Sequence, residues 1–253
     1  VGLNGHADAL SPADGKEGQT LQGHAFGNLL LAALTGITGS FDEALLAAQR
    51  VLALRGQVLP STLEDVTLVA DVLTPEGNVR QVVGESAIPK VGGHIERVRL
   101  EPAGVRAYPP ALRAIFAADL IVLGPGSLYT SILPNLLVRD LAEALTHARA
   151  PVVYVCNLAT QPGETDEYTV ADHVEALLQH APADFVDLVL ANDNLSIPPE
   201  TGGGHTRFVV PRPSPRVPLR ALDLVDEARP WRHDSEKLGR AVVGLLSATR
   251  RPR

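Results

Sequence analysis

Several residue types are rare in this sequence, and each shortage excludes a class of protein. Cys156 is the only cysteine among 253 residues, so an internal disulfide is excluded and a reducing compartment is favoured. Aromatic residues make up 4% of the chain, so the core has to be aliphatic. No apolar run approaches the roughly 20 residues that a bilayer span requires, and no secretory signal opens the chain. These features predict a cytoplasmic protein without a membrane span.

Methionine is absent altogether, and the first residue is Val1. We therefore expect the beginning of the natural protein to lie upstream of this sequence. Residues 1–20 are polar and rich in glycine, which is typical of a loop. The composition, 45% hydrophobic and 20% charged, is that of a globular protein, and we expect residues 1–253 to form a single domain.

The net charge of −7 argues against a nucleic-acid-binding protein. The charge is uneven, because residues 207–253 hold 11 of the 22 Lys and Arg residues but five Asp and Glu residues. One interpretation is a solvated basic tail that ends with Arg250, Arg251 and Arg253. The other is that some of these arginines fold back and neutralise a phosphorylated ligand.

The first half of the chain combines helical and strand patterns. Apolar residues recur at helical spacing over 24–35 and 41–55, and Pro109-Pro110 predicts a helix over 110–118. Between them, the valine-rich stretch within 62–102 contains turn signals at Pro75-Glu76-Gly77-Asn78 and Gly92-Gly93. This stretch predicts two to four short strands, a β-hairpin excursion from the main sheet.

In the second half, strands and helices alternate. The predicted strands 119–124, 151–157 and 185–192 are nearly continuous apolar runs, as in parallel strands that are buried on both faces. Predicted helices cover 135–148, 168–180 and 234–248, whereas residues 196–220, with six prolines, predict an irregular segment. The order predicts an α/β fold with a doubly wound, mostly parallel sheet.

Two loops that follow buried strands are candidates for one ligand site, because ligands bind beyond the carboxyl ends of parallel strands. The first loop contains Gly124, Gly126 and Ser127, with Thr130 close behind. Glycines let a ligand approach the backbone closely, and N–H groups near a helix start attract anions, so this loop predicts a phosphate or another small anionic group. The other interpretation is a plain turn that needs glycine for its geometry. The loop matches neither GxGxxG nor the P-loop pattern.

The second loop, 156–166, is dense in polar groups. Asn157 and Gln161 are suited to read a base or sugar edge, whereas Glu164 and Asp166 are suited to sugar hydroxyls or, with a divalent cation, to a pyrophosphate. The other interpretation is that Thr165 or Asp166 merely caps the next helix. Capping would explain one residue of the cluster but not the whole cluster. Cys156 is expected to be a buried, inert thiol, and His173 a surface or packed histidine without a catalytic role.

Five segments of the sequence resemble the bacterial gluconeogenesis factor family, which shares a superfamily with 2-phospho-L-lactate transferase (CofD-like). They are GHAFGNLLLAALT, GESAIPKVGGHIERVRLEP, ADLIVLGPGSLYTSILPNLLV, VYVCNLATQPGETDEYTVADHVEAL and WRHDSEKLGRAVV. The resemblance covers roughly residues 22–246. Nothing in residues 1–21 is similar to the family's first strand and Gly-Gly-Gly-Thr-Gly loop, so we expect the N-terminal part of the family fold to be missing from this chain.

The resemblance implies a Rossmann-like fold and a regulatory protein that binds a UDP-sugar, notably UDP-N-acetylglucosamine. Such proteins support growth and cell shape on gluconeogenic carbon sources. In this interpretation Arg232 neutralises the diphosphate, since arginine matches phosphate geometry; its alternative is a surface arginine at a helix start. The contacts to the nucleotide-sugar come from the two loops, at Gly124, Gly126, Ser127, Thr130, Asn157, Gln161, Gly163, Glu164, Thr165 and Asp166. We also expect a homo-oligomer.

The same superfamily implies an alternative function, a Mg²⁺-dependent transferase that moves a phospholactyl group from a guanosine diphospho-lactate donor to a deazaflavin. In that case Asp166 or Glu164 would bear the metal. The loop sequences Pro125-Gly126-Ser127 and Gln161-Pro162-Gly163 depart from the transferase pattern and favour the gluconeogenesis factor branch. An NAD-dependent dehydrogenase is disfavoured, because the chain has no GxGxxG motif.

Overall fold

A computed structural model describes residues 26–181, 185–196 and 206–248. Its helices are α1 (Phe26–Thr38), α2 (Phe41–Val51), α3 (Ile88–Val91), α4 (Pro109–Ala117), α5 (Leu133–Leu136), α6 (Arg139–His147), α7 (Val170–His180) and α8 (Ser235–Ala248). Its strands are β1 (Thr67–Leu73), β2 (Val79–Val83), β3 (His94–Glu101), β4 (Ile121–Leu123), β5 (Val152–Val155), β6 (Leu188–Asn192) and β7 (Leu219–Leu222). The predictions for residues 1–20 and for the three C-terminal arginines lie outside the described residues.

The helices α1 and α2 form a bent pair whose axes differ by 118°. Ser40 caps α2 by accepting a hydrogen bond from the Glu43 backbone N–H, and the acidic residues of the first turn complement the helix dipole. Within the described residues, no single helix is long and apolar enough to cross a bilayer; the bent pair has the length and the composition of a span when its two helices are taken together.

Strands β1, β2 and β3 form an antiparallel sheet in the order β2-β1-β3. Its buried face includes Ala70, Val72 and Val98, which belong to one continuous apolar cluster with residues of α5, α6 and α7. The predicted valine-rich strands are therefore present, and they form a sheet of their own beside the parallel sheet.

Strands β4 to β7 form a parallel sheet in the order β4-β5-β6-β7. Side chains alternate across it: Tyr154 and Val189 face the main apolar cluster, whereas Val153, Val155 and Leu190 belong to a second cluster with α8. Helices thus cover both faces, which explains why these strands are apolar throughout. The predicted α/β class with a mostly parallel sheet is confirmed.

Two elements differ from the predictions. The predicted helix 135–148 is divided between the end of α5 and α6, with a break at Val138, whose backbone is extended, and a π-helical turn (Leu128–Ile132) precedes α5. Strand β7 begins inside the segment predicted to be irregular. This strand has four residues, LRAL, and none of them is fully buried, so its sequence lacks the long apolar run that identified β4 to β6.

His180, at the end of α7, connects the helical layer to the antiparallel sheet. Its Nδ1 donates a hydrogen bond to the Ala176 carbonyl (2.7 Å), and its Nε2 accepts one from the Val98 backbone N–H (3.1 Å). Strand β3 is at the edge of its sheet, so this imidazole satisfies a backbone donor that no neighbouring strand can reach. Burial lowers the pKa of His180, which favours the neutral ring that accepting this bond requires.

We expect this contact to make stability sensitive to acid. Because the pKa of His180 is lower in the folded chain than in the unfolded chain, its contribution is complete above about pH 6.5 and declines as the pH falls below that value. His180→Gln, whose amide oxygen can still accept from Val98, should reduce the loss of unfolding free energy between pH 7 and pH 5. His180→Ala should cost about 1–3 kcal/mol at pH 7, because Val98 loses its partner.

Denaturant unfolding at both pH values measures these effects. His147→Gln is the matched control, since His147 lies exposed on α6. An identical pH dependence in the parent and in His180→Gln would contradict this assignment.

Candidate functional site

The two loops predicted to form a site lie side by side, because β4 and β5 are adjacent parallel strands. Gly124, directly after β4, has φ +83°, and a Cβ there would lie 2.9 Å from the Val155 carbonyl oxygen. This glycine is therefore required by the turn itself, as the simpler interpretation supposed. Gly126 is different: its φ lies outside the left-handed region, and the nearest atoms to a Cβ would be those of Ser131 at 3.6 Å and Ile132 at 3.8 Å.

A ring of hydrogen bonds joins the two loops. The Gln161 amide donates to the Ser127 hydroxyl (2.8 Å) and accepts from the Asn157 amide (2.8 Å). The Asn157 oxygen in turn lies 3.4 Å from the Gly126 backbone nitrogen, a long hydrogen bond. We call Gly126, Ser127, Asn157 and Gln161 the amide ring; these four residues are half-buried, so part of each remains accessible to solvent.

Glu164 forms a second connection between the loops. Its carboxylate accepts a hydrogen bond from the Thr130 hydroxyl (2.9 Å) and faces the backbone N–H groups of Tyr129 and Thr130 at the start of the π-helical turn. The side chain is buried, and burial raises its pKa. Its Oε2 is buried without a hydrogen-bond partner in the described part of the chain. The chain thus places its own carboxylate where an anion would bind a helix start.

The remaining residues of the second loop shape its backbone. The Thr165 hydroxyl accepts from the Gln161 backbone N–H (2.9 Å), and the Asp166 carboxylate accepts from that of Gly163 (2.7 Å). At Gly163, φ is +78° and a Cβ would lie 2.0 Å from the Pro89 carbonyl oxygen, so glycine is needed for packing against α3. Neither Thr165 nor Asp166 caps α7, where Thr169 and Asp172 form the capping box.

Tyrosines connect the π-helical turn to α7 behind the loops. The hydroxyls of Tyr129 and Tyr168 are 2.8 Å apart, and the ring of Tyr168 meets that of His173 edge-on, with centroids 5.5 Å apart. His173 is fully buried, and its Nδ1 donates a hydrogen bond to the Thr169 carbonyl (2.9 Å), which assigns Nδ1 as the protonated nitrogen. Sequence reasoning did not identify this aromatic contact, because the two tyrosines are separated by α5, α6 and β5.

A third segment reaches the same edge of the sheet. Residues 223–234 fold back on themselves, with a bridge between Val225 and His233. Burial lowers the pKa of His233 to about 4, against the opposing effect of the Cys156 backbone, and its Nε2 is buried without a hydrogen-bond partner in the described part of the chain. Arg232 is exposed in this segment, next to His233. The sequence analysis proposed Arg232 and did not consider His233, although both residues belong to the stretch Trp231-Arg232-His233-Asp234.

The cysteine and the acidic residues offer little for metal or nucleophile chemistry. Cys156 is fully buried, and burial raises the pKa of its thiol to about 12, so it remains protonated at neutral pH. The described residues contain no group of three or more His, Cys, Asp or Glu side chains that could hold a metal ion. Glu164 and Asp166 are not part of such a group; Asp166 accepts from the Gly163 N–H, and Glu164 accepts from the Thr130 hydroxyl through one of its two oxygens.

Comparisons with known proteins agree with this architecture. The family model for 2-phospho-L-lactate transferase CofD matches residues 7–244. The gluconeogenesis factor of Bacillus subtilis (strain 168) is 50% identical over 184 residues, which cover 73% of this chain and 56% of that protein. A relative from Aquifex aeolicus (strain VF5) that shares the gluconeogenesis factor name is 38% identical over 245 residues, or 91% of this chain and 72% of the relative.

A solved structure supports the same relationship. The crystal structure of a UPF0052-family protein from Bacillus halodurans superposes with a TM-score of 0.77 at 38% identity and covers 88% of this chain and 73% of that chain. The chain spans about half the length of several curated relatives that it matches. The family match, the Aquifex relative and the solved structure agree, and the chain belongs to the 2-phospho-L-lactate transferase CofD family, in its gluconeogenesis factor branch.

Proposed function

We propose that the chain is a regulatory protein that binds a UDP-sugar, UDP-N-acetylglucosamine, at the carboxyl edge of its parallel sheet. The observation that carries this proposal is the amide ring, which joins the two loops beyond β4 and β5 through polar groups that stay accessible. The names of the relatives support a role in gluconeogenic growth. The proposal extends to the control of cell shape, a cytoplasmic location and a homo-oligomeric state.

The amide ring suits a sugar-nucleotide because its groups have further hydrogen-bonding capacity. Each amide NH₂ has two donors and each oxygen two lone pairs, and the ring contacts use only part of them. Asn157 and Gln161 would therefore read the uridine or the sugar. Ser127 and the open side of Gly126 would contact phosphate or sugar oxygens.

The diphosphate has to bind away from Glu164. That carboxylate occupies the start of the π-helical turn, so an anion placed there would be repelled. Arg232, which makes no ion pair or hydrogen bond through its side chain within the described residues, is the cation that we assign to the diphosphate. In this proposal the UDP-sugar therefore lies with its uridine or sugar at the amide ring and with its diphosphate towards the segment 223–234.

The Mg²⁺-dependent transferase is the second candidate, favoured by the family match itself. It needs carboxylates for the metal. The second loop supplies two: Asp166 accepts from the Gly163 N–H, and Glu164 accepts from Thr130 while its Oε2 has no hydrogen-bond partner in the described part of the chain. Calorimetric titration with UDP-N-acetylglucosamine and with GDP, each with Mg²⁺ and with EDTA, separates the candidates. We expect uridine-dependent binding whose affinity changes less than about threefold in EDTA. Preferential GDP binding that requires Mg²⁺ would support the transferase instead.

Substitutions of Gly126 and Gly124 test whether the ligand lies close to the backbone at Gly126, with Gly124 as the comparison. Gly126→Ala should leave the melting temperature nearly unchanged, since a Cβ fits at ordinary contact distance, yet lower the affinity for UDP-N-acetylglucosamine by about tenfold or more. Gly124→Ala should instead lower the melting temperature, because its φ and the Val155 carbonyl both oppose a side chain. Unchanged affinity in Gly126→Ala would contradict a contact between the ligand and the backbone at Gly126.

Gln161→Glu tests whether the ligand is anionic. Glutamate can keep both ring contacts, because the Ser127 hydroxyl can turn and become the donor, so the fold should persist. The new charge should weaken UDP-N-acetylglucosamine binding by at least about tenfold at low salt and by less at 1 M salt. Gln57→Glu, at an exposed position in the loop after α2, is the control of equal charge. Equal effects of both variants would argue against an anion beside Gln161.

A further inference from the structure

The antiparallel sheet has two edge strands, β3 and β2, and the β3 edge is protected against a further strand. At this edge the His180 imidazole accepts the hydrogen bond of the Val98 N–H. The pairing of β1 with β3 also shifts register between Asp71 and Val72. Bulges and charged side chains are devices that stop an edge from pairing with another strand. The charged residues of β3 are Glu96, Arg97, Arg99 and Glu101.

The β2 edge lacks most of these devices. Its residues, Val79–Val83, pair with β1 in one unbroken register. Its sequence, VRQVV, contains no lysine and no proline, and its one charged residue is Arg80. The side chains of Val79 and Val83 are 60% and 58% exposed. A regular, largely apolar edge of this kind is suited to pair with a further strand.

Hydrogen bonds at the two ends of the β1–β2 pair identify the backbone groups that point away from β1. The Gly84 N–H donates to the Leu68 carbonyl (2.8 Å). At the other end, the Thr74 N–H donates to the Asn78 carbonyl (2.9 Å). In an antiparallel pair, residues that exchange hydrogen bonds alternate with residues that do not. The even-numbered residues of β2 therefore bond β1, and the odd-numbered residues direct their N–H and C=O groups outward.

The outward-facing residues, Val79, Gln81 and Val83, are arranged symmetrically about Gln81. If a second copy of β2 lies antiparallel with its Gln81 opposite Gln81, Val79 meets Val83 of the other copy. Every outward N–H then faces an outward carbonyl, and the valine and amide side chains on this face form cross-strand pairs. Arg80 lies opposite Val82 of the other copy, so no like charges are directly opposed.

From this self-complementary edge we propose that β2 is an interface between two copies of this chain. The two antiparallel sheets would join into one six-stranded sheet, with a two-fold axis at Gln81. Strands of this length bury less than the roughly 1,200 Å² of a stable complex, so we expect a reversible dimer. This inference rests on the homo-oligomeric state in the proposed function and deepens it, since it names the surface and the register.

Sedimentation equilibrium of the full chain between about 1 and 200 µM should show a monomer–dimer equilibrium. Gln81→Lys places two ammonium groups opposite each other on the axis, and Gln81→Glu places two carboxylates there. Each variant should raise the dissociation constant of the dimer by at least about threefold at low salt. An equimolar mixture of the two variants should restore the parent value, which a loss of general stability would not do. Gln57→Lys, at an exposed position after α2, is the control of equal charge.

Gln81→Pro tests the backbone contact at the axis. The Gln81 N–H points away from β1, so proline should leave the melting temperature nearly unchanged. It removes both symmetry-related hydrogen bonds at the axis, so the dissociation constant of the dimer should rise by at least about tenfold. Val82→Pro is the matched comparison: the Val82 N–H bonds β1, so this variant should lower the melting temperature instead.

The outcomes separate this inference from the proposed function. A parent chain that stays monomeric over the whole range would overturn both the interface and the proposed homo-oligomeric state, and would leave the β2 edge to a strand of a different protein. A parent dimer that is unaffected by Gln81→Lys and Gln81→Pro would show that the copies meet elsewhere, so the interface would be wrong and the homo-oligomeric state would stand. A mixture of the charged variants that binds no more tightly than either one alone would contradict the two-fold register. UDP-N-acetylglucosamine binding is measured separately by calorimetry.

Discussion

The parallel pairing of β4 with β5 is the constraint on which the rest of the site depends. It brings Gly124 so close to the Val155 carbonyl that only a glycine fits, and the chain then turns directly over the end of the neighbouring strand. Gly126, Ser127, Asn157 and Gln161 can form the amide ring only because these two strand ends are adjacent and point the same way. The distance between the loops is thus fixed by backbone hydrogen bonds in the sheet, and the site is preorganised.

Glu164 shows how strongly local electrostatics restrict the possible ligand positions. A helix start with free N–H groups ordinarily attracts a phosphate, but here a buried carboxylate already faces those groups. The energetic reason is that a buried carboxylate needs donors, and the start of the π-helical turn supplies them together with the Thr130 hydroxyl. An anionic ligand is therefore directed to the glycine and amide side of the loops, and towards Arg232.

The sequence predicts the strands and loops well where the signal is local. The apolar runs of β4, β5 and β6, and the polar clusters that follow two of them, identify both candidate loops without a structure. The roles of Gly163 and His180 were not predictable, because they depend on Pro89 and Val98, which are distant in the chain. Strand β7 was missed because a short, partly exposed strand leaves no apolar run.

The ionisable groups around the loops bear on the choice between recognition and catalysis. A general base works best with a pKa near the working pH and with access to its substrate. Cys156 is buried with a raised pKa, His233 is mostly enclosed with a pKa lowered to about 4, and Glu164 accepts hydrogen bonds from the turn that it caps. The pKa directions thus keep the Cys156 thiol protonated and the His233 ring neutral, whereas burial opposes the ionised Glu164 carboxylate and the hydrogen bonds from the turn favour it. The accessible groups, the amides and hydroxyls of the ring, bind through hydrogen bonds and hold no proton that titrates near neutral pH. These amides and hydroxyls are the groups on which the proposed recognition of a sugar-nucleotide depends.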